Sequence, residues 1–199
     1  MTKHKGLPVL AFASREAWES WLAKHGAASP GIWLKLARRG AVVACVGKAA
    51  AIEAALAYGW IDGQLDAFDE RSWLVRFTPR GPRSKWSQNN VETAKTLLAA
   101  GRMTAAGLAE VEKAKADGRW DAAYAPQSRA EVPQDLGAAL DADPAAKAFF
   151  ATLKGANRFA ILYRIHDAKT EKTRAARIEK FVAMLALGQT IHPTKKTGR

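Results

Sequence analysis

The chain of 199 residues carries 31 lysines and arginines against 19 acids, a formal charge of +12, with 48% apolar and 25% charged residues. That balance excludes a disordered chain and fits one domain, or one domain with a smaller appendage. A single cysteine, Cys45, excludes an intrachain disulfide and points to a thiol-reducing, cytoplasmic setting.

In chain order, "SREAWESWLAKHG" predicts a helix capped by Ser14, with Trp18, Trp21, Leu22 and His25 on one face and a stop at Gly26. "GIWLKLARRGAVVACV" predicts strand, turn, strand, with Ile32, Leu34 and Leu36 alternating with Trp33 and Lys35. An alanine-rich helix follows in "KAAAIEAALAYG", its buried stripe Ile52, Ala55 and Leu56, ending at Gly59. "WIDGQLDAF" and "SWLVRFTP" read as two more strands joined by the acidic turn "DER".

Beyond residue 80 the strand signals stop. Ser87 caps a predicted helix carrying Val91, Ala94, Leu97 and Leu98, and Thr104 caps another carrying Leu108, Val111 and Ala114. Tyr124 to Pro133 has turn residues and no period, so it reads as a linker. Short helices follow in "PQDLGAAL", in "DPAAKAFFATL" behind Asp143, in "ANRFAILYRIHDA", and in "TEKTRAARIEKFVAMLALG". The expected class is α+β, a small, mostly antiparallel sheet with helices and then an all-helical part packing on the first. The expected divisions are an α+β domain at 1–125, a helical subdomain at 126–190 and a basic disordered tail at 191–199.

Lys3, Lys5, Lys195, Lys196 and Arg199 account for five of the positive charges, leaving +7 on the body and making an anionic partner plausible. The densest group is "RFTPRGPRSKWSQNN". Pro79 and Pro82 deny helix to their neighbours, so Arg80 and Arg83 ride on a stiff loop leading into a helix N-terminus. Arg76, Arg80, Arg83, Ser84, Trp86, Ser87 and Asn90 are therefore candidate ligands for phosphate or carboxylate, with Trp86 stacking on a base or a guanidinium. Pairing of the same arginines with Asp62, Asp66, Asp69 and Glu70 is the competing reading.

These stretches also carry a family resemblance. "ALAYGWIDGQ", "RFTPRGPRSKWS", "GRMTAAGLAEVEKAKADGRW" and "AKTEKTRAARI", in that order over roughly Phe12 to Gly188, resemble the blocks of the YdeI/OmpD-associated, or bacteriocin-protection, family. The resemblance implies a bacterial stress-response role in tolerance of bacteriocins or antimicrobial peptides, and no particular reaction. Two positions depart from the family pattern "ALCFGWIDG … FTPRRPRS": Ala57 and Tyr58 stand for its Cys-Phe pair, which removes a cysteine nucleophile, and Gly81 removes one arginine.

Within "GWIDG", Trp60 and Asp62 join the candidate cleft, Asp62 as a turn former, an ion-pair partner or a general base. Arg174 and Arg177, with Lys169 and Lys172 near the start of the last helix, are further candidate anion ligands, against a solvated face. The scattered histidines and the absence of phosphate-loop motifs predict neither metal nor cofactor. Neither a secretory leader nor a transmembrane segment is expected.

Three functions are compatible with these residues. The first is a non-enzymatic protection protein whose basic cleft binds an anionic small molecule or an acidic protein partner. Nucleic-acid binding is the second, and an enzyme acting on an anionic small molecule with Asp62 as base is the third. Oligomeric state is not readable from the residues.

Overall fold

The structure, a computed structural model, describes residues 2–41 and 44–193 and forms two units, Met1–Ala123 and Tyr124–Arg199. It is α+β, with one mixed five-stranded sheet in the first unit. The sheet starts at a hairpin that the sequence analysis misses: β1 (Lys3–His4) and β2 (Leu7–Leu10) joined through Lys5 and Gly6, both at positive φ (45° and 83°). A two-residue hairpin loop takes that geometry because its twist matches the strands. Lysine in place of the usual asparagine or aspartate hides it from inspection.

Helix α1 (Arg15–His25) leads to β3 (Ile32–Ala37), which pairs parallel to β2. Helix α2 (Lys48–Ala57) leads to the antiparallel pair β4 (Trp60–Ala67) and β5 (Ser72–Pro79), and β5 pairs with β3, so the order is β1-β2-β3-β5-β4. Among the described residues no second strand forms directly after β3. Among the described residues Ala44–Gly47 are irregular, and Val42 and Val43 of that prediction lie outside the described residues.

Ile32, Leu34 and Leu36 of β3 and Val75 and Phe77 of β5 face Trp18 and Leu22 of α1 and the alanines of α2 in one core. The Trp18 indole N–H donates to Ala51 O at 3.1 Å, so the buried ring keeps its hydrogen bond while fastening α1 to α2. Ile52 is only half-buried; Ala51 and Ala54 take the inner positions instead.

On the opposite face of the sheet the first hairpin is pinned by charge. Asp66 accepts from Lys5 Nζ (2.7 Å) and hydrogen-bonds His4 Nε2 (2.9 Å), and Asp69 accepts from the Ser72 hydroxyl and pairs with Lys35 (3.2 Å). Lys5, with His4 beside it, holds the Asp66 carboxyl down at about 2, and the Ser72 hydroxyl, aided by Lys35, does the same for Asp69. Carboxylates depressed in the fold contribute stability above the unfolded value near 4, and that contribution is lost as pH falls through about 2. Protection of the β1–β2 hairpin amides, taken as the exchange rate relative to that of an unstructured chain at the same pH, is therefore expected to fall between about pH 4 and pH 2, and to be low in Asp66→Asn at neutral pH already; unchanged protection in that variant would refute the pin.

Helix α3 (Gln88–Ala99) is capped by Ser87, and α4 (Ala105–Ala116) by Thr104, each side chain accepting from the backbone N–H three residues on. With the end of α2 they enclose a second cluster of Leu56, Trp86, Val91, Ala94, Leu97 and Val111. Leu108, assigned to the inner stripe, is instead 43% exposed.

The second unit is all helical: a short 3-10 turn at Gln127–Arg129 inside the predicted linker, then α5 (Gln134–Asp141), α6 (Pro144–Thr152), α7 (Gly155–His166) and α8 (Glu171–Ala186). These helices enclose a core of their own around Leu136, Phe150, Ile161, Ile165, Phe181 and Leu185. Of the expected tail, residues 194–199 lie outside the described residues. No helix among the described residues is long and apolar enough to cross a membrane.

Candidate functional site

The site grows from the turn between α2 and β4. Gly59 sits at φ +74°, and a Cβ there would lie 2.9 Å from Ala106 O, so only glycine lets the chain turn while α4 presses on it. Helix α4 is seated by its first residues: Thr104 donates both N–H and hydroxyl to Ala57 O (3.1 and 2.7 Å), and a Cβ on Gly107 would stand 2.2 Å from that oxygen. Arg80 N donates to Gly59 O at 2.9 Å, closing β5 onto the same turn.

This junction leaves a cleft of ≈ 490 Å³ between the C-terminal end of α1, the start of β4 and the outer side of α4, lined by Gly26, Gly59, Trp60, Arg80, Glu110 and Lys113 among others. Trp60 is 2% exposed and stands edge-on to Trp18 and Trp21 (6.2 and 5.8 Å). Its indole N–H has no acceptor among the described residues and faces Gly26, where a Cβ would lie 3.3 Å from Nε1. Lys113 gives one hydrogen bond to Glu110 at 2.7 Å. An ammonium carries three protons, so two remain to offer. A carboxylate or phosphate oxygen is the complement to such a cleft: an acceptor for the indole and a counter-charge for Lys113 and Arg80.

Residues 10–110, which include Gly59, Trp60 and Arg80, match the family described as a domain of unknown function (DUF8412). The chain belongs to that family. Residues 129–188 match a second one, described as Bacteriocin-protection, YdeI or OmpD-Associated, so the second unit is a YdeI/OmpD-associated domain. The resemblance read over Phe12 to Gly188 thus narrows: the blocks "ALAYGWIDGQ" and "RFTPRGPRSKWS" fall inside the DUF8412 match, and "AKTEKTRAARI" inside the YdeI/OmpD-associated one. No curated protein and no solved structure matches the chain.

Of the loop cations within the DUF8412 match, Arg80 alone lines the cleft. It is 7% exposed, its Nη1 donates to Lys85 O at 3.3 Å, and its guanidinium carbon lies 3.8 Å from the Trp86 ring centroid. Trp86 is 1% exposed and packs on Trp120 at 5.0 Å, so it stacks on a guanidinium inside the protein and is closed to a base. Ser84 Oγ accepts from Gly81 N and Ser87 Oγ from Asn90 N: both hydroxyls serve the backbone. Arg119, which the sequence analysis passed over, donates to Ser84 O at 2.8 Å and holds the loop from outside.

The expected convergence of three arginines does not form. Arg76 lies opposite Trp33 in the sheet register and alternates with the core residues Val75 and Phe77, so it is exposed on the other face. Arg83 is exposed on the turn; neither residue has an ion pair among the described residues. The competing reading, in which the acids of the hairpin consume these arginines, also fails, since Asp66 and Asp69 are held by Lys5, His4 and Lys35, and Asp62 makes no ion pair among the described residues. Asp62 is half-buried at the bulge of β4, opposite Phe77, and does not line the cleft.

In the second unit, Arg174 clasps Asp135 through Nε and Nη2 (2.5 and 2.8 Å) and donates to Ile165 O, joining α5, α7 and α8. Its guanidinium holds the Asp135 carboxyl below the usual range. Arg177 Nη1 donates to Arg164 O. Both are fasteners rather than open anion ligands. None of the seven tryptophans is exposed, so none offers an open face on which a base could stack. No group of three or more His, Cys, Asp or Glu among the described residues is placed to hold a metal ion.

Proposed function

We propose that this cytoplasmic protein is a non-enzymatic, bacteriocin-protection type binding protein whose first unit holds an anionic small molecule, or an acidic group of a partner, in the cleft at Trp60. The observation that carries this reading is the Trp60 indole N–H, on a ring 2% exposed, without an acceptor among the described residues and lining the same cleft as Lys113 and Arg80. The N–H itself keeps contact with solvent, so a bound oxygen acceptor takes the place of water there and gains the net worth of a hydrogen bond to a charged group. Asp62, the base that an enzymatic reading requires, stands outside the cleft, so binding is favoured over turnover.

The YdeI/OmpD-associated match over residues 129–188 supports the protective role. Two of the three charged side chains lining the cleft are positive and the whole chain is +12, so direct capture of a cationic peptide at this cleft is electrostatically opposed. Protection acting through an anion is the consistent alternative.

The test is calorimetric titration of the full chain with inorganic phosphate and acetate as minimal probes. Trp60→Phe keeps an aromatic ring of smaller size and deletes the donor, and a hydrogen bond to a charged acceptor is worth about 1.5–3 kcal/mol, so affinity is expected to fall about tenfold or more. Equal binding by Trp60→Phe and the unaltered chain would remove this assignment.

A further inference from the structure

Helices α5 and α8 of the second unit leave a groove of ≈ 1140 Å³ between them, separate from the cleft in the first. Its floor is apolar and low: Ala139 from α5, and Ala175, Ile178 and Val182 from α8. Lining residues run along α8 from Glu171 to Ala183, about 18 Å at 1.5 Å per residue, or somewhat over three turns. A floor of small side chains lets another helix approach closely.

The walls carry the opposite charge to the rest of the unit. Residues 124–199 hold thirteen lysines and arginines against seven acids. Four of those acids, Asp135, Asp143, Glu171 and Glu179, line this groove with only two bases, Lys172 and Arg174. Arg174 is spent on Asp135, and Asp143 caps α6 by accepting from Ala146 N. Glu171 and Glu179 have no ion pair among the described residues. They stand eight residues apart on one face of α8, about 12 Å, or just over two turns.

We propose that this groove docks a cationic amphipathic helix of a partner, its apolar face on Ala175, Ile178 and Val182, and two of its lysines or arginines, about two turns apart, on Glu171 and Glu179. Charge complementarity selects this occupant. An acidic or neutral helix would leave both carboxylates unpaired beside a covered apolar floor, at a desolvation cost. The proposal is independent of the anion cleft.

The probe is a labelled peptide of about 18 residues built of leucine and lysine at helical spacing, with a leucine–glutamate peptide of the same pattern as its counterpart, read by fluorescence anisotropy on the full chain at low salt. Because the chain as a whole is +12 and repels the basic peptide, its capture requires a local acidic seat. The basic peptide is expected to bind, about fivefold more weakly to the double variant Glu171→Gln, Glu179→Gln. Ala175→Lys, an exposed helical position that accepts lysine without loss of fold, is expected to weaken it about tenfold or more. Any of four results overturns the proposal: no binding of the basic peptide, indifference of its affinity to both variants, loss of the acidic peptide instead in Ala175→Lys, or a concentration-dependent dimer broken by Ala175→Lys, which assigns the groove to a second copy.

Discussion

Arg80→Ala is expected to lower the stability of the first unit by about 3 kcal/mol, whereas Arg83→Ala, three residues away in the same block, is expected to change it by less than about 0.5 kcal/mol. Arg80 is 7% exposed, lies 3.8 Å over Trp86 and donates to Lys85 O. A desolvated cation–π contact is worth about 2 kcal/mol and a charged hydrogen bond about 1.5–3, and the truncated side chain leaves a cavity against Trp86. Arg83 is exposed and has no ion pair among the described residues. Lysine at position 80 is not expected to rescue, since an ammonium has no plane to lay on the indole. Denaturant titration of the three variants measures this directly. A fall for Arg83→Ala equal to that for Arg80→Ala would mean that the loop is held in some other way.

Gly107→Ala is expected to cost about as much by steric means. The added methyl would sit 2.2 Å from Ala57 O and 2.5 Å from Met103 Sδ, so α4 has to lift off the end of α2. Lifting it breaks both Thr104 hydrogen bonds to Ala57 O and parts Ala106 from Gly59. Overpacking of this kind costs about 1–3 kcal/mol, and losing the two hydrogen bonds adds about 1 kcal/mol each. The same change at Gly137, in α5 with open space around it, is expected to stabilise by about 0.5–1 kcal/mol. Since α4 forms one wall of the cleft, Gly107→Ala is also expected to weaken the proposed binding of phosphate there. Retained stability in that variant would show that the α2–α4 seat yields more than its geometry implies.

Among the described residues, five of the eight α-helices announce their starts in side chains, Ser14, Ser87, Thr104, Asp143 and Thr170 capping as the residue types direct. Helices α2, α5 and α7 start behind Gly47, Pro133 and Lys154 without a side-chain cap and were legible from their period alone. Strands β3, β4 and β5 were legible from alternation and from the turn after Ala67. The first hairpin and its parallel pairing with β3 were not. Two residues of β1 carry no period, and a parallel pairing separated by a helix has no local cue.

The site was legible in its motif and illegible in its geometry. "GWIDG" and "FTPRGPRS" mark the junction, and Gly59, Trp60 and Arg80 do meet there. What spacing cannot reveal is the direction in which each cation points: Arg76, Arg80 and Arg83 share one segment, yet one faces the far side of the sheet, one is buried and one is exposed. Gly26, Glu110 and Lys113 complete the cleft from helices remote in sequence, and no pattern in the chain joins them to Trp60.

The most direct measurement is the nitrogen–proton correlation spectrum of the seven tryptophan indoles during titration with inorganic phosphate and then acetate. The indole N–H of Trp60, assigned through its loss in Trp60→Phe, is expected to move downfield and saturate in the millimolar range, while those of the buried Trp18 and Trp86 stay in place. A Trp60 resonance that stays still, or one that drifts in step with all the others, would contradict anion binding at the cleft.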